Sequence, residues 1–259
     1  MGLFSKIFGN KNISSDFANS GFSDKLAFLE VDIHNHLLPG IDDGSKSVSD
    51  SLYLIKGLQN LGLNNFICTP HIMQDVHPNT FHTINNAHKL LDKELKSDNS
   101  IVKVVPAAEH MIDEDIFSKI SANSLMVMPG GYVLIEMSYL APSRSLFQVI
   151  LDIRNLGYKP ILAHPERYSY YQNNVNIFKQ VKDAGCALQL NLLSLTKYYG
   201  ENVNVMANQL LAAGMYDFVG TDLHHERHLK SLENLVIKYP VREMLKNNNI
   251  KNAEFLDLI

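Results

Sequence analysis

Seven short apolar runs punctuate the chain, and most of them close on polar or titratable residues: FLEVDIH, NFICTPH, IVKVVPAAEH, YVLIEMS, KPILAHPE, CALQLNLLSL and YDFVGTD. Their length and near-continuous apolar character predict parallel strands covered by other elements. Between them the apolar positions recur three and four residues apart, which predicts helices. These stretches are SVSDSLYLIKGLQNLG, TFHTINNAHKLLDKELK, DEDIFSKISAN, SRSLFQVILDIRNLG, VNIFKQVKDAG and NVNVMANQLLAAG. A last helical stretch, LKSLENLVIKYPVREMLKNN, is expected to break at Pro240. Ser47 or Ser49 marks one helix start, and Gly62, Gly157, Gly185 and Gly214 fall where four others should stop.

Seven strand-helix units in tandem predict an α/β fold of one domain, a closed (β/α) barrel in preference to an open sheet. No Gly-x-Gly-x-x-Gly or Walker pattern marks a nucleotide-binding first unit. The patterned region covers residues 26–259, behind a flexible polar leader over residues 1–25.

Composition narrows the class. With 259 residues and 46% hydrophobic content the chain can bury one sizeable core. A formal charge of −4 argues against nucleic acid as a partner. Two cysteines, Cys68 and Cys186, form no disulfide framework and point to the reducing cytoplasm. No apolar run approaches the roughly 18–20 residues of a membrane span. The opening MGLFSKIFGNKN sets Leu3, Phe4, Ile7 and Phe8 against Lys6 and Lys11. That pattern suits a weak peripheral membrane contact, or simply a frayed terminal helix. No repeat or heptad identifies a self-association surface.

Eleven histidines are an excess for this length, and their placement is informative. His34 and His36 end the first strand, with Asp43 just beyond; His71 ends the second, Glu109 the third, Glu136 the fourth and His164 the fifth. Asp222 and His224 end the seventh. His-x-His on a strand aims both rings to one side, and in a parallel barrel all carboxyl-terminal strand ends share one rim. Each residue alone reads more simply as a hydrogen-bonded strand-end side chain. Nine together on one rim would carry repelling carboxylates and unpartnered imidazoles unless cations stood between them. Mixed His and carboxylate ligands suit zinc, manganese or iron.

In order and spacing, DIHNHLLPGIDDG, CTPHI, AAEH, LIEMS, AHPERY and GTDLH resemble the PHP (polymerase and histidinol phosphatase) superfamily. They are most similar to its capsule-associated tyrosine-protein phosphatases, the CpsB/YwqE group. The resemblance spans roughly residues 30–225 and continues loosely to the end. It implies a distorted (β/α)7 barrel, the PHP fold, holding three divalent metal ions, manganese foremost, with iron or zinc as alternatives. On the family pattern His34 and His36 bind the first ion with Glu109 and Asp222. Glu109 bridges to a second ion held also by Glu136 and His164, and Asp43, His71 and His224 hold the third. The implied activity is dephosphorylation of phosphotyrosine in protein. The implied partner is a bacterial tyrosine autokinase controlling capsule or exopolysaccharide synthesis.

Such ions acidify a bridging water, which then attacks phosphorus in line. Arg167 of AHPERY would neutralise the phosphate oxygens with its forked donors; its plainer reading is an ion pair with Glu166. A phenolate leaving group, with a pKa of about 10, needs little protonic help, and His225 is the candidate acid if one is used. Arg227, in DLHHERHLK, is a second candidate phosphate contact at a spacing that departs from the family's. Cysteine-based chemistry is excluded, since Gln74 and Leu192 stand where the phosphate-binding arginine would have to be. His77, His82, His88, His110 and His228 read as ordinary, with His77 in a polar loop able to cover the site. The alternatives are a small-molecule phosphatase acting on histidinol phosphate or a sugar phosphate, and a non-catalytic regulator docked to the kinase. The LPGIDDG and AHPERY segments favour the tyrosine branch.

Overall fold

The computed structural model describes residues 25–98, 100–172 and 174–259. Lys25 apart, the leader and its amphipathic opening therefore lie outside the described residues. The first apolar run gives a 3-10 turn at Ala27–Leu29 and then β1 (Val31–Asp32). The second splits into β2 (Asn65–Cys68) and β3 (His71–Ile72), and the third into β4 (Lys103–Pro106) and β5 (Glu109–Met111). β6 (Tyr132–Glu136), β7 (Lys159–Ala163), β8 (Ala187–Asn191) and β9 (Phe218–Gly220) follow.

All ladder pairing is parallel, in the orders β1-β2-β4 and β3-β5-β6-β7-β8-β9. The split into two sheets is local. Pro70 has no N–H to give to the ladder, but the Ala107 N–H donates to Cys68 O (2.8 Å) and the Glu109 N–H to Pro70 O (3.1 Å). The second and third chains therefore stay side by side through the break.

Helices alternate with these strands as the periodicity predicts: α1 (Val48–Asn60), α2 (Phe81–Ser97), α3 (Ile116–Ser121), α4 (Leu146–Asn155), α5 (Val175–Asp183), α6 (Glu201–Ala212) and α7 (Glu226–Lys238). Pro240 separates α7 from α8 (Val241–Leu245). Ser47, not Ser49, caps α1 by accepting from the Asp50 N–H (3.2 Å). Gly62, Gly157, Gly185 and Gly214 all take positive φ just past a helix, where a Cβ would be strained. One run overshoots its strand. In CALQLNLLSL the last four residues curl into a 3-10 turn, because the Asn191 side chain accepts from the Leu193 N–H (3.0 Å) and turns the chain.

Side chains alternate across each strand and divide the apolar interior in two. Ile161 and Ala163 of β7 join Val31, Ile33, Ile67, Ala107, Leu134 and Phe218 inside the barrel, whereas Leu162 faces the helices. Phe255, from a 3-10 segment at Asn252–Leu258, packs its ring 5.2 Å from Tyr132 and 5.7 Å from Phe218 and closes the amino-terminal end. The opposite end is left for the polar residues.

The first and last strands meet largely through side chains. At the bottom, Asn252 donates to Val31 O (2.9 Å) and Val219 O (2.7 Å) and accepts from the Val219 N–H (2.9 Å). One turn higher, the buried Asp32 carboxylate accepts from the Thr221 N–H (3.0 Å) and hydroxyl (2.6 Å). Only at the top do backbones pair, Asp222 N–H to His34 O (2.8 Å) and His36 N–H to Leu223 O (3.0 Å). Replacing Asn252 by Ala orphans three buried backbone groups and is expected to cost about 2–4 kcal/mol. Urea unfolding checks this; an unchanged midpoint would show that the seam does not depend on Asn252.

Candidate metal centre

The strand ends are bent to point side chains into the mouth. His164 follows β7 directly and Asp222 follows β9 after Thr221, and both sit at positive φ (32° and 50°). For non-glycine residues that conformation costs on the order of 1–3 kcal/mol and survives only where the surroundings over-determine it. Gly220 is required for a different reason: a Cβ there would lie 2.5 Å from the His34 Cβ and 2.7 Å from Gln189 Nε2. Only a bare backbone lets His34 and Gln189 stand so close to β9.

All nine residues singled out by strand-end position converge. They fall into four overlapping groups whose donor atoms lie within 4.8 Å of one another: His34, His36 and Asp222; His34, Glu109 and His164; His71, Glu109 and Glu136; and His36, Asp43, His71 and His224. Glu109 belongs to two groups, as a bridging carboxylate would. His71 also belongs to two, with Nδ1 beside Glu136 (2.9 Å) and Nε2 3.6 Å from Asp43.

The imidazoles are oriented from behind. His34 Nδ1 meets Gln189 Oε1 (2.8 Å), His36 Nδ1 meets Asp42 Oδ2 (2.7 Å), and His224 Nδ1 meets the Asp222 carbonyl (2.9 Å). Each outer acceptor calls for Nδ1–H, which leaves the Nε2 lone pair aimed at the centre. His34 Nε2 and His36 Nε2 then face each other at 3.4 Å, with Asp222 Oδ1 3.3 and 3.4 Å away. Glu109 Oε2, Glu136 Oε1 and His71 Nδ1 are buried and lie close together, yet none makes an aligned hydrogen bond. Lone pairs converging without hydrogens between them fit divalent cations.

The electrostatics agree. Asp42, Asp43, Glu109, Glu136 and Asp222 line the mouth, and Arg167 is the arginine paired among them. Burial opposes ionisation of Asp222, but His34, His224, His36 and Arg167 around it hold it well below the usual carboxylate range. Glu109 is held low in the same way by His34, His71 and His164. Burial and His36 disfavour a charged His71, yet Glu109 and Glu136 push it up to about 9. The surroundings of His71 thus favour positive charge at this point of the centre.

Arg167 is not paired with Glu166. Its Nη1 donates to Asp222 Oδ2 (2.7 Å), and its guanidinium lies between the rings of Tyr139 (4.8 Å) and Tyr199 (4.2 Å). Glu166 instead accepts from the Asn191 N–H and the Tyr216 hydroxyl (both 3.0 Å), anchoring the turn that carries Arg167. His225 sits exposed at the start of α7, where Nδ1 accepts from the His228 N–H (3.3 Å). Burial, His224 and Arg227 lower its pKa, so its environment disfavours the protonated form that an acid needs. Arg227 is exposed in the first turn of α7.

The remaining histidines divide. His82 bonds Asn86, His88 ties α2 to Val104 O, and His110 points outward to the Met126 backbone. His77 and His228, however, border the centre. His77 stacks on His71 with centroids 5.5 Å apart, and His228 Nδ1 meets Asp222 O at 3.1 Å. Sequence reasoning missed Gln189, Asn191, Tyr139 and Tyr199. The available signal was β8, where Ala187, Gln189 and Asn191 share one face and put two amides on an inward surface. Cys68 and Cys186 are buried free thiols, with pKa values pushed up by burial.

Comparison with known proteins agrees with this geometry. The tyrosine-protein phosphatase YwqE of Bacillus subtilis is 28% identical over 196 residues, covering 75% of this chain and 77% of its own. The tyrosine-protein phosphatase CpsB of Streptococcus pneumoniae is 26% identical over 201 residues, covering 75% and 83%. A chain from the crystal structures of these two metal-dependent tyrosine phosphatases superposes with a TM-score of 0.73 at 26% identity, covering 85% of this chain and 96% of that one. The histidinol phosphate phosphatase of Lactococcus lactis shares the fold at a TM-score of 0.51 and 16% identity, covering 81% and 93%. The profile of the capsular polysaccharide synthesis family CpsB/CapC matches residues 30–253, and this chain belongs to that family.

Proposed function

We propose that this chain is a metal-dependent phosphoric-monoester hydrolase that removes phosphate from tyrosine in protein. Its substrate is a bacterial tyrosine autokinase governing capsule or exopolysaccharide synthesis. The observation that carries the reading is the convergence of nine donor side chains, among which Glu109 Oε2, Glu136 Oε1 and His71 Nδ1 are buried without a hydrogen bond. The names of the relatives point to the same chemistry.

Three divalent ions, manganese foremost, would fill the centre. His34, His36, Glu109 and Asp222 would hold one, Glu109 would bridge to a second held also by Glu136 and His164, and Asp43, His71 and His224 would hold a third. Bound there, the ions would supply an acidified water as nucleophile and neutralise charge gathering on the phosphoryl oxygens.

The chain's own groups do the positioning. The aromatic rings and Asp222 hold the Arg167 fork in one plane, and the donors not bonded to Asp222 are left for phosphate oxygens. Gln189 holds the His34 ring in the ligating tautomer, and Asp42 does the same for His36. A phenolate leaves as an anion readily enough that the disfavoured protonation of His225 is no obstacle.

Chelation followed by verified removal of metal should abolish hydrolysis of a phosphotyrosine peptide, and reloading should restore it; undiminished turnover without metal would refute the mechanism. At equal metal loading the peptide should be hydrolysed faster than histidinol phosphate or a sugar phosphate, and the reverse order would assign a small-molecule substrate. Gln189→Ala should weaken metal retention by about 10–100-fold, read by metal content after dialysis, while Asp222→Ala should lose most activity with the circular dichroism spectrum retained. Arg167→Ala should chiefly raise KM for phosphorylated substrate, and unchanged kinetic constants would make it a structural residue only.

A further inference from the structure

Beside the metal-centre mouth lies a groove of about 340 Å³ between the loop after β8 and the outer face of α7. Lys197 and Tyr198 form one wall, and Ser231, Asn234, Lys238 and Tyr239 form the other. The groove is continuous with the site through aromatic rings. Tyr198 packs edge-on against Tyr199 (4.9 Å), which lies on Arg167, and against His228 (5.2 Å), which neighbours His224 (5.5 Å). No carboxylate lines it. Glu226, on α7, is turned toward Tyr53 and Lys230. Glu201 pairs with Lys197 at 2.5 Å, leaving Lys238 as the lining cation without an ion pair among those found in the described residues.

We propose that this groove docks an acidic stretch of the substrate protein next to its phosphotyrosine, and so sets which tyrosines are dephosphorylated. The inference rests on the phosphatase reading above and adds a sequence preference to it. Charge complementarity argues for the occupant, since the walls offer the Lys238 ammonium, unpaired among the described residues, the Lys197 ammonium shared with Glu201, and two half-exposed tyrosine rings. Arg227, exposed one turn before Ser231 on the same helix and three residues after His224, extends the basic line toward the mouth. Eleven helical residues separate Arg227 from Lys238, about 16 Å at 1.5 Å per residue. An extended peptide covers that length in about five residues, so the acidic positions that matter fall within that reach of the phosphotyrosine.

The test uses the metal-loaded full chain and three phosphotyrosine peptides whose flanking five residues carry Glu, Gln or Lys. The Glu peptide should have the lowest KM, with a preference over the Lys peptide of about tenfold that shrinks in 0.5 M salt, as an exposed electrostatic contact must. Lys238→Glu should erase or invert that order while leaving kcat/KM for phenyl phosphate within twofold, and Lys238→Arg should preserve the order. Equal KM values for the three peptides, or a Lys238→Glu effect that extends to phenyl phosphate, would overturn the docking role. Peptide binding to the same proteins, followed by fluorescence anisotropy, separates the two readings. Charge-ordered binding without hydrolysis would sink the phosphatase reading alone, and hydrolysis without charge order would sink the groove alone. A concentration-dependent dimer dissolved by Lys238→Glu would assign the groove to a second copy of the chain and overturn the proposal.

Discussion

The arrangement of this molecule follows from one electrostatic constraint: too many lone pairs are gathered in too dry a place. Two unit charges 4 Å apart interact by about 4 kcal/mol at an effective dielectric of 20. Glu109 and Glu136 are almost fully buried, and their donor oxygens lie within 4.8 Å of one another. A few such contacts rival the entire stability of an ordinary domain. The fold tolerates them because the site is built to receive positive charge. The left-handed residues His164 and Asp222, the bare backbone at Gly220 and the rear hydrogen bonds to Gln189 and Asp42 all serve that end. These costs are met toward the carboxyl-terminal side of the strands, above an apolar barrel interior.

Strand closure and the metal centre are one problem. Donors from β1 and β9 stand on either side of the seam, so the spacing between His34 and Asp222 is only as rigid as the joint beneath them. Backbone pairing alone ties them at the top, while Asp32 with Thr221 and Asn252 with Val31 and Val219 hold the lower levels. Side-chain hydrogen bonds, in place of a continuous backbone ladder, thus carry the seam beneath the imidazoles at the mouth.

Much of this was legible in the residue order. Period-two and period-three-to-four patterns located the strands and helices, and the nine convergent groups were visible because parallel topology turns strand-end position into spatial proximity. What escaped notice has a common physical cause. Gln189, Asn191, Tyr139 and Tyr199 act on other side chains and never at the centre itself, and nothing in their identity separates them from ordinary amides and rings. Arg167 shows the same limit: its neighbour Glu166 looked like its partner, but the turn at His164 sends the two side chains to opposite sides, one to Asp222 and the other to Tyr216. Asn252 lies outside the strand-helix alternation altogether, so no periodicity could have flagged it.

That asparagine has a consequence for how the protein comes into being. Synthesis delivers β1 first, β9 nearly two hundred residues later, and Asn252 some thirty residues after that. Until it emerges, the asparagine hydrogen bonds that join the lower ends of the two edge strands cannot form. The joint beneath the donors is thus completed by a residue made after all nine of them.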